Sequence, residues 1–180
     1  MTPFFRKHLR PEDVGSKIYE LLRICAESDE DLSLVSLLSN LDLRREALHE
    51  HVEGDVMIGL MFSAILATER STTPRTARKI IMGMTGEFLH HLEEQGADAV
   101  QRAEWEATIA QMFLAYRNCM DGYSGFEPPW KLGRQLYWNL VGNEEYGAMS
   151  IKIATLYLLT ARDRVQSLLN EWGPFILSGT

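Results

Sequence analysis

Residues 56–68 read Val-Met-Ile-Gly-Leu-Met-Phe-Ser-Ala-Ile-Leu-Ala-Thr, the longest apolar run in the chain, bracketed by Asp55 and Glu69. The run falls well short of the ~20 residues that carry a helix across a bilayer. It reads as the buried central helix of a soluble domain, running from Val56 to about Arg70, with Gly54 and Asp55 marking a kink or junction before it.

Outward from this run, the apolar residues keep helical spacing and no alternating strand pattern of useful length occurs. Downstream, Ser71-Thr72-Thr73-Pro74 stops one helix and restarts another, with Thr73 as N-cap and Pro74 at N1. The new helix puts Ala77, Ile81, Met84, Phe88 and Leu92 on one face and ends at Gly96. Asp98 with Gln101 makes a capping box for a helix whose inward side is Ile109, Met112, Phe113, Tyr116 and Met120. Asp121–Pro129, with Gly122, Gly125, Pro128 and Pro129, is the one long loop, expected to be pinned by Tyr123, Phe126 and Trp130. A short helix from Trp130 to Val141 follows, then a final helix with Glu144 and Glu145 in its first turn. That helix has two apolar stripes, one with Met149, Ile153 and Leu156 and another with Ala154, Leu158, Ala161, Val165 and Trp172. A helix apolar on two sides is expected to be buried between neighbours.

Upstream, Pro11 opens a helix with Glu12 and Asp13 at its positive dipole end and a stripe of Val14, Ile18, Leu21, Leu22 and Cys25. Ser28 or Asp29 is the expected cap of the next segment. Residues 32–51 split into two short helices, the second holding Leu43, Ala47 and Leu48. The expected fold is all-α: an irregular bundle of about six to eight helices in a single domain, residues 11–180, behind an N-terminal extension, residues 1–10.

Composition narrows the function. The chain has 180 residues, 46% hydrophobic and 24% charged, with a net charge of −7. This is an ordinary globular balance and a poor one for gripping phosphate backbones, so no nucleic-acid partner is expected. The densest cationic stretch, Arg75, Arg78 and Lys79, has no interleaved aromatics. Cys25 and Cys119 both fall on apolar helix faces, where reduced cysteine usually packs, and residues 1–10 hold no apolar run of signal-peptide length. A cytoplasmic setting follows, with at most peripheral membrane contact.

Catalytic patterns are sparse. No Gly-x-Ser-x-Gly elbow or phosphate-cradling glycine loop occurs, Ser124 has no histidine near it in sequence, and Gly83 and Gly86 lie inside a helix, where they permit close packing. An enzyme is not expected, and no cofactor is. The sharpest coincidence is a pair of Glu-x-x-His units, Glu46–His49 and Glu87–His90, whose i, i+3 spacing puts carboxylate and imidazole on one helix face. Two such units facing each other, with further glutamates such as Glu20 and Glu106, are the donor set of a di-iron carboxylate bundle. Solvated surface residues are the commoner explanation of the pattern, as they are for the His49, Glu50, His51, Glu53, Asp55 cluster. Seven of the eight methionines lie in or at the ends of expected helices, filling a core or lining an adaptable apolar groove. A ligand pocket lined by Trp105, Tyr116 and Trp138 is a third possibility.

The order of several segments resembles the ubiquinol-cytochrome c chaperone family, assembly factors of the cytochrome bc1 complex. The resemblance spans about Lys17 to Phe175. It is carried by Ile18-Tyr19-Glu20-Leu21-Leu22, by Leu92-Glu93-Glu94-Gln95-Gly96-Ala97-Asp98, by Met112-Phe113 with Ala115-Tyr116, by Leu132, Leu136, Asn139 and Leu140, and by Ile153-Ala154 with Tyr157 and Leu168-Leu169. Leu89, Leu114-Ala115 and Trp138 stand where that family has other residues. The resemblance implies a non-enzymatic chaperone that binds a newly made apolar respiratory subunit, cytochrome b-like, at the inner face of a membrane. Glu94, Asp98, Tyr116, Asn139 and Tyr157 are then the partner-binding residues.

Overall fold

The computed structural model describes residues 8–28, 31–44, 48, 51–120, 130–142, 147–173 and 176. Among these it forms seven helices: α1 (Pro11–Ser28), α2 (Leu34–Asn40), α3 (Val52–Ser71), α4 (Pro74–Glu94), α5 (Ala99–Met120), α6 (Trp130–Val141) and α7 (Ala148–Trp172). No strand occurs among the described residues; an isolated parallel bridge ties Leu9 to Ile176. The fold is the expected all-α bundle.

The apolar run sits at its centre. Every residue from Val56 to Ile65 is buried, because α3 packs against α1, α4, α5, α6 and α7. Around this axis α1 pairs with α4 and α7 with α6, while α2 rests against α7. The α1–α4 pair is set by two glycines. A Cβ on Gly15 would lie 2.6 Å from the Met84 amide nitrogen, and one on Gly83 2.8 Å from the Glu12 carbonyl carbon, so neither position admits a side chain at this separation. Gly133 does the same for α6 on α7, where a Cβ would meet the Thr155 nitrogen at 2.5 Å. Gly86, expected to act like Gly83, has nothing within 4 Å and plays no packing part.

The helix boundaries with strong local signals fall where expected. Thr73 Oγ1 accepts from the Thr76 amide at 3.3 Å, ahead of Pro74. α4 closes on Gly96, whose φ of 100° only glycine adopts cheaply, with the Gly96 amide donating to Glu93 and the Ala97 amide to Leu92. The capping box forms in both directions at 2.9 Å, from the Asp98 amide to Gln101 Oε1 and from the Gln101 amide to Asp98 Oδ1.

Other boundaries differ. Gly54 and Asp55 are not a junction: α3 already begins at Val52, and Gly54 is small because the Trp105 ring lies where its Cβ would be, with Cζ3 2.8 Å away. Ser28 belongs to the last turn of α1 and donates to the Ile24 carbonyl; the cap of α2 is Ser33, which accepts from the Ser36 amide. On α4 Ile80 is the fully buried residue and Ile81 only half-buried. α7 begins at Ala148; one stripe of it is covered by α3 and α6, and the other only in part, Ile153 packing against the core while Met149 is 65% and Leu156 53% exposed. The expected two-sided burial of this helix therefore holds only in part, because the Met149 and Leu156 end of that flank is left largely open. Ala47, the loop with Tyr123, Ser124 and Phe126, and Glu144 and Glu145 lie outside the described residues, as does Asp29.

Candidate functional site

The five residues assigned to partner binding are spread over three places. Glu94 is exposed at the end of α4, 3.6 Å from His90 and 3.8 Å from His91, and Asp98 four residues on is engaged in capping α5. Tyr157 is buried in α7, and its hydroxyl donates to the Leu32 carbonyl at 2.8 Å, tying the approach to α2 onto the core. Burial holds its phenol well above the usual tyrosine range, so it stays a donor.

Tyr116 and Asn139 come together in the seam between α5 and α6. Tyr116 is 0% exposed and stacks on Phe62 with centroids 5.1 Å apart. It lies across α3 where Gly59 leaves room, a Cβ there being 2.9 Å from the hydroxyl. Asn139 Nδ2 donates to the Tyr116 hydroxyl at 3.4 Å, Gln135 Nε2 to Asn139 Oδ1 at 2.8 Å, and the Cys119 thiol to Gln135 Oε1 at 3.6 Å. Burial raises the Cys119 thiol, with Lys131 and Arg134 pulling the other way. Burial first, and the charge of Asp55 second, hold the Tyr116 phenol far above its usual range. Both groups keep their protons near neutral pH, so the seam joins two helices and offers no activated nucleophile. Lone buried polar atoms would have shown the network to be incomplete; among the described residues no buried side-chain nitrogen or oxygen lacks a partner.

Of the Glu-x-x-His residues, Glu46 and His49 lie outside the described residues. Glu87 is half-buried and His90 exposed, the His90 ring facing Glu93 and Glu94 on its own helix at 3.6 Å. Among the described residues no group of three or more His, Cys, Asp or Glu is placed to hold a metal ion. Trp105, Tyr116 and Trp138 do not share a pocket either. Trp105 stands between α3 and α4, Tyr116 is in the core, and Trp138 lines a shallow hollow with Cys119, Lys131 and Gln135.

The apolar surface that does stand out is the uncovered flank of α7 beside the start of α6. Trp130, 40% exposed, sits one turn before Gly133, so the tight α6–α7 approach brings its indole over α7. Trp130, Ala148, Ile151, Lys152, Thr155 and Leu156 line a groove of about 360 Å³. Thr155 gives its hydroxyl to the Ile151 carbonyl at 2.7 Å, which leaves Lys152 as the charged edge of an otherwise carbon-lined groove. The second stripe of α7 was visible in the sequence, but its pairing with Trp130 depends on the helix crossing and was not.

No family model, no curated protein and no solved structure matches this chain. Among the described residues no helix is long and apolar enough to cross a membrane.

Proposed function

We propose that this chain is a non-enzymatic binding protein of the assembly-chaperone kind, which seats the apolar face of a client helix in the α6–α7 groove. The observation that carries the reading is the groove itself: Trp130 and Leu156, both large and substantially exposed, flank a carbon-lined channel with Lys152 at its edge. A client helix with a carboxylate beside its apolar face matches both features. Covering the exposed parts of Trp130, Met149 and Leu156 is worth about 2–5 kcal/mol at about 1.5–3 kcal/mol per fully buried large side chain. Association costs about as much or more, so binding through this groove alone is weak and transient, as suits a protein that must release its client. The resemblance to the ubiquinol-cytochrome c chaperones supplies the candidate client, a cytochrome b-like subunit at the inner face of a membrane. The protonated Cys119 and Tyr116 and the capping role of Asp98 favour binding over catalysis.

A photo-crosslinking residue placed at Leu156 in the source cell tests this. Capture of a cytochrome b-like subunit, identified by mass spectrometry and absent when the probe sits at the exposed Met82 of α4, is the expected result. Equal capture from both positions, or no respiratory subunit from Leu156, overturns the proposal.

A further inference from the structure

α5 is seated on the core by Ile109 and Tyr116, and its opposite side is a second apolar face. Val100 is 66% and Leu114 60% exposed, and the exposed Ala103, Ala107 and Ala110 lie between them. These five recur at alternating steps of three and four residues, the spacing of a seam along which one helix packs on another. The alanines keep the ridge slim, a shape that enters a groove. At 100° per residue Glu104 and Glu106 border the seam on its two sides. Both are exposed and without a partner among the described residues, whereas the arginines of this helix are engaged, Arg102 by Glu93 and Arg117 by Glu69. The face is therefore apolar with acidic borders.

The α6–α7 groove is its counterpart. Trp130 and Leu156 stand exposed along it, and the one charged residue lining it is Lys152, itself exposed and without a partner among the described residues. Like faces pair badly. Two α5 seams, whether parallel or antiparallel, set glutamate against glutamate, and two grooves set lysine against lysine. A seam laid in a groove sets Lys152 against a glutamate and covers apolar surface on both sides.

We infer that this chain associates with a second copy of itself, the Val100–Leu114 seam of one copy lying in the α6–α7 groove of the other with Lys152 facing Glu104 or Glu106. The contact joins two different faces, one from each copy. A client entering the groove must displace the second copy; that consequence rests on the client reading, while the self-association does not. A contact of one helix face is small, so the association is weak and concentration-dependent.

Sedimentation equilibrium of the purified full chain, from about 10 μM to about 1 mM, tests the inference with no client present. The average mass is expected to rise with concentration above the monomer's 20.5 kDa. Leu156→Asp in the groove and Ala107→Arg in the seam alter exposed positions and should keep the parent's melt while each weakens self-association at least about tenfold. Mixing the two variants should restore association, because the intact seam of one meets the intact groove of the other. Lys152→Glu, which leaves every apolar contact in place, should weaken association about threefold or more, and adding Glu104→Lys and Glu106→Lys to it should recover the parent's behaviour. A mass that stays at the monomer value at about 1 mM, either apolar-face variant associating as the parent does, a mixture that stays monomeric, or association unmoved by Lys152→Glu each overturns the inference.

Discussion

Replacing Gly15 by alanine should destabilise the protein even though alanine is the better helix former. The added Cβ would stand 2.6 Å from the Met84 amide nitrogen and closer still to the Ile80 carbonyl, all main-chain atoms that cannot rotate aside. Relief requires α1 and α4 to separate by about 1 Å, and a gap of that size forfeits a quarter to a half of each dispersion contact. The side chains that α1 buries near the crossing are Val14, Ile18 and Leu22, all at 1% exposure or less. At about 2 kcal/mol each, the loss is about 1.5–3 kcal/mol, in line with measured overpacking. Helix propensity returns at most about 1 kcal/mol. The net expectation is about 1–2 kcal/mol of destabilisation, or a melting temperature lower by roughly 2–8 °C for a chain of this size. Gly86→Ala, with nothing within 4 Å of its Cβ, is the matched control and should gain up to about 1 kcal/mol. Gly15→Ala combined with Gly83→Ala should cost less than the sum, because the second methyl enters a crossing the first has opened. Circular dichroism melts read all three. A Gly15→Ala protein as stable as the parent, or a Gly86→Ala protein that falls equally, would refute the close-crossing account.

Two further outcomes are expected. Tyr157→Phe should cost about 1–2 kcal/mol in chemical denaturation, because the hydroxyl bonded to the Leu32 carbonyl at 2.8 Å is buried; a Tyr157→Phe protein as stable as the parent would contradict that bond. Arg23 hydrogen-bonds to Glu20 and holds its carboxyl below the ordinary 4.5, so the folded form releases this proton more readily than the unfolded chain. The pair's contribution is then present above that value and is lost as pH falls through the lower, folded pKa. Glu20 is exposed, so the effect is no more than a few tenths of a kcal/mol and shrinks in salt. The stability gap between the parent and Glu20→Gln should close towards pH 3, and a gap that widens there counts against the pairing.

The all-α class, the central helix and several boundaries were legible in the sequence because their causes are local. Thr73-Pro74, Asp98–Gln101 and Gly96 act through hydrogen bonds and dihedral limits spanning a few residues, and each does so in the structure. The spacing along α7 likewise showed two apolar stripes, and the Leu-rich face of α6 was read with its correct ends, Trp130 and Val141. Spacing states which side chains share a face, however, and not whether a neighbour covers it. That Met149 and Leu156 stay exposed while Ala154 and Leu158 are buried was decided only when α3 and α6 took one side of α7. The same holds for the glycines: Gly83 and Gly86 look alike in sequence, and only the approach of α1 makes one indispensable and the other free. The candidate groove belongs to this second kind. Trp130 comes beside Leu156 across a stretch of chain, through a helix crossing whose geometry is settled by the packing of the whole core.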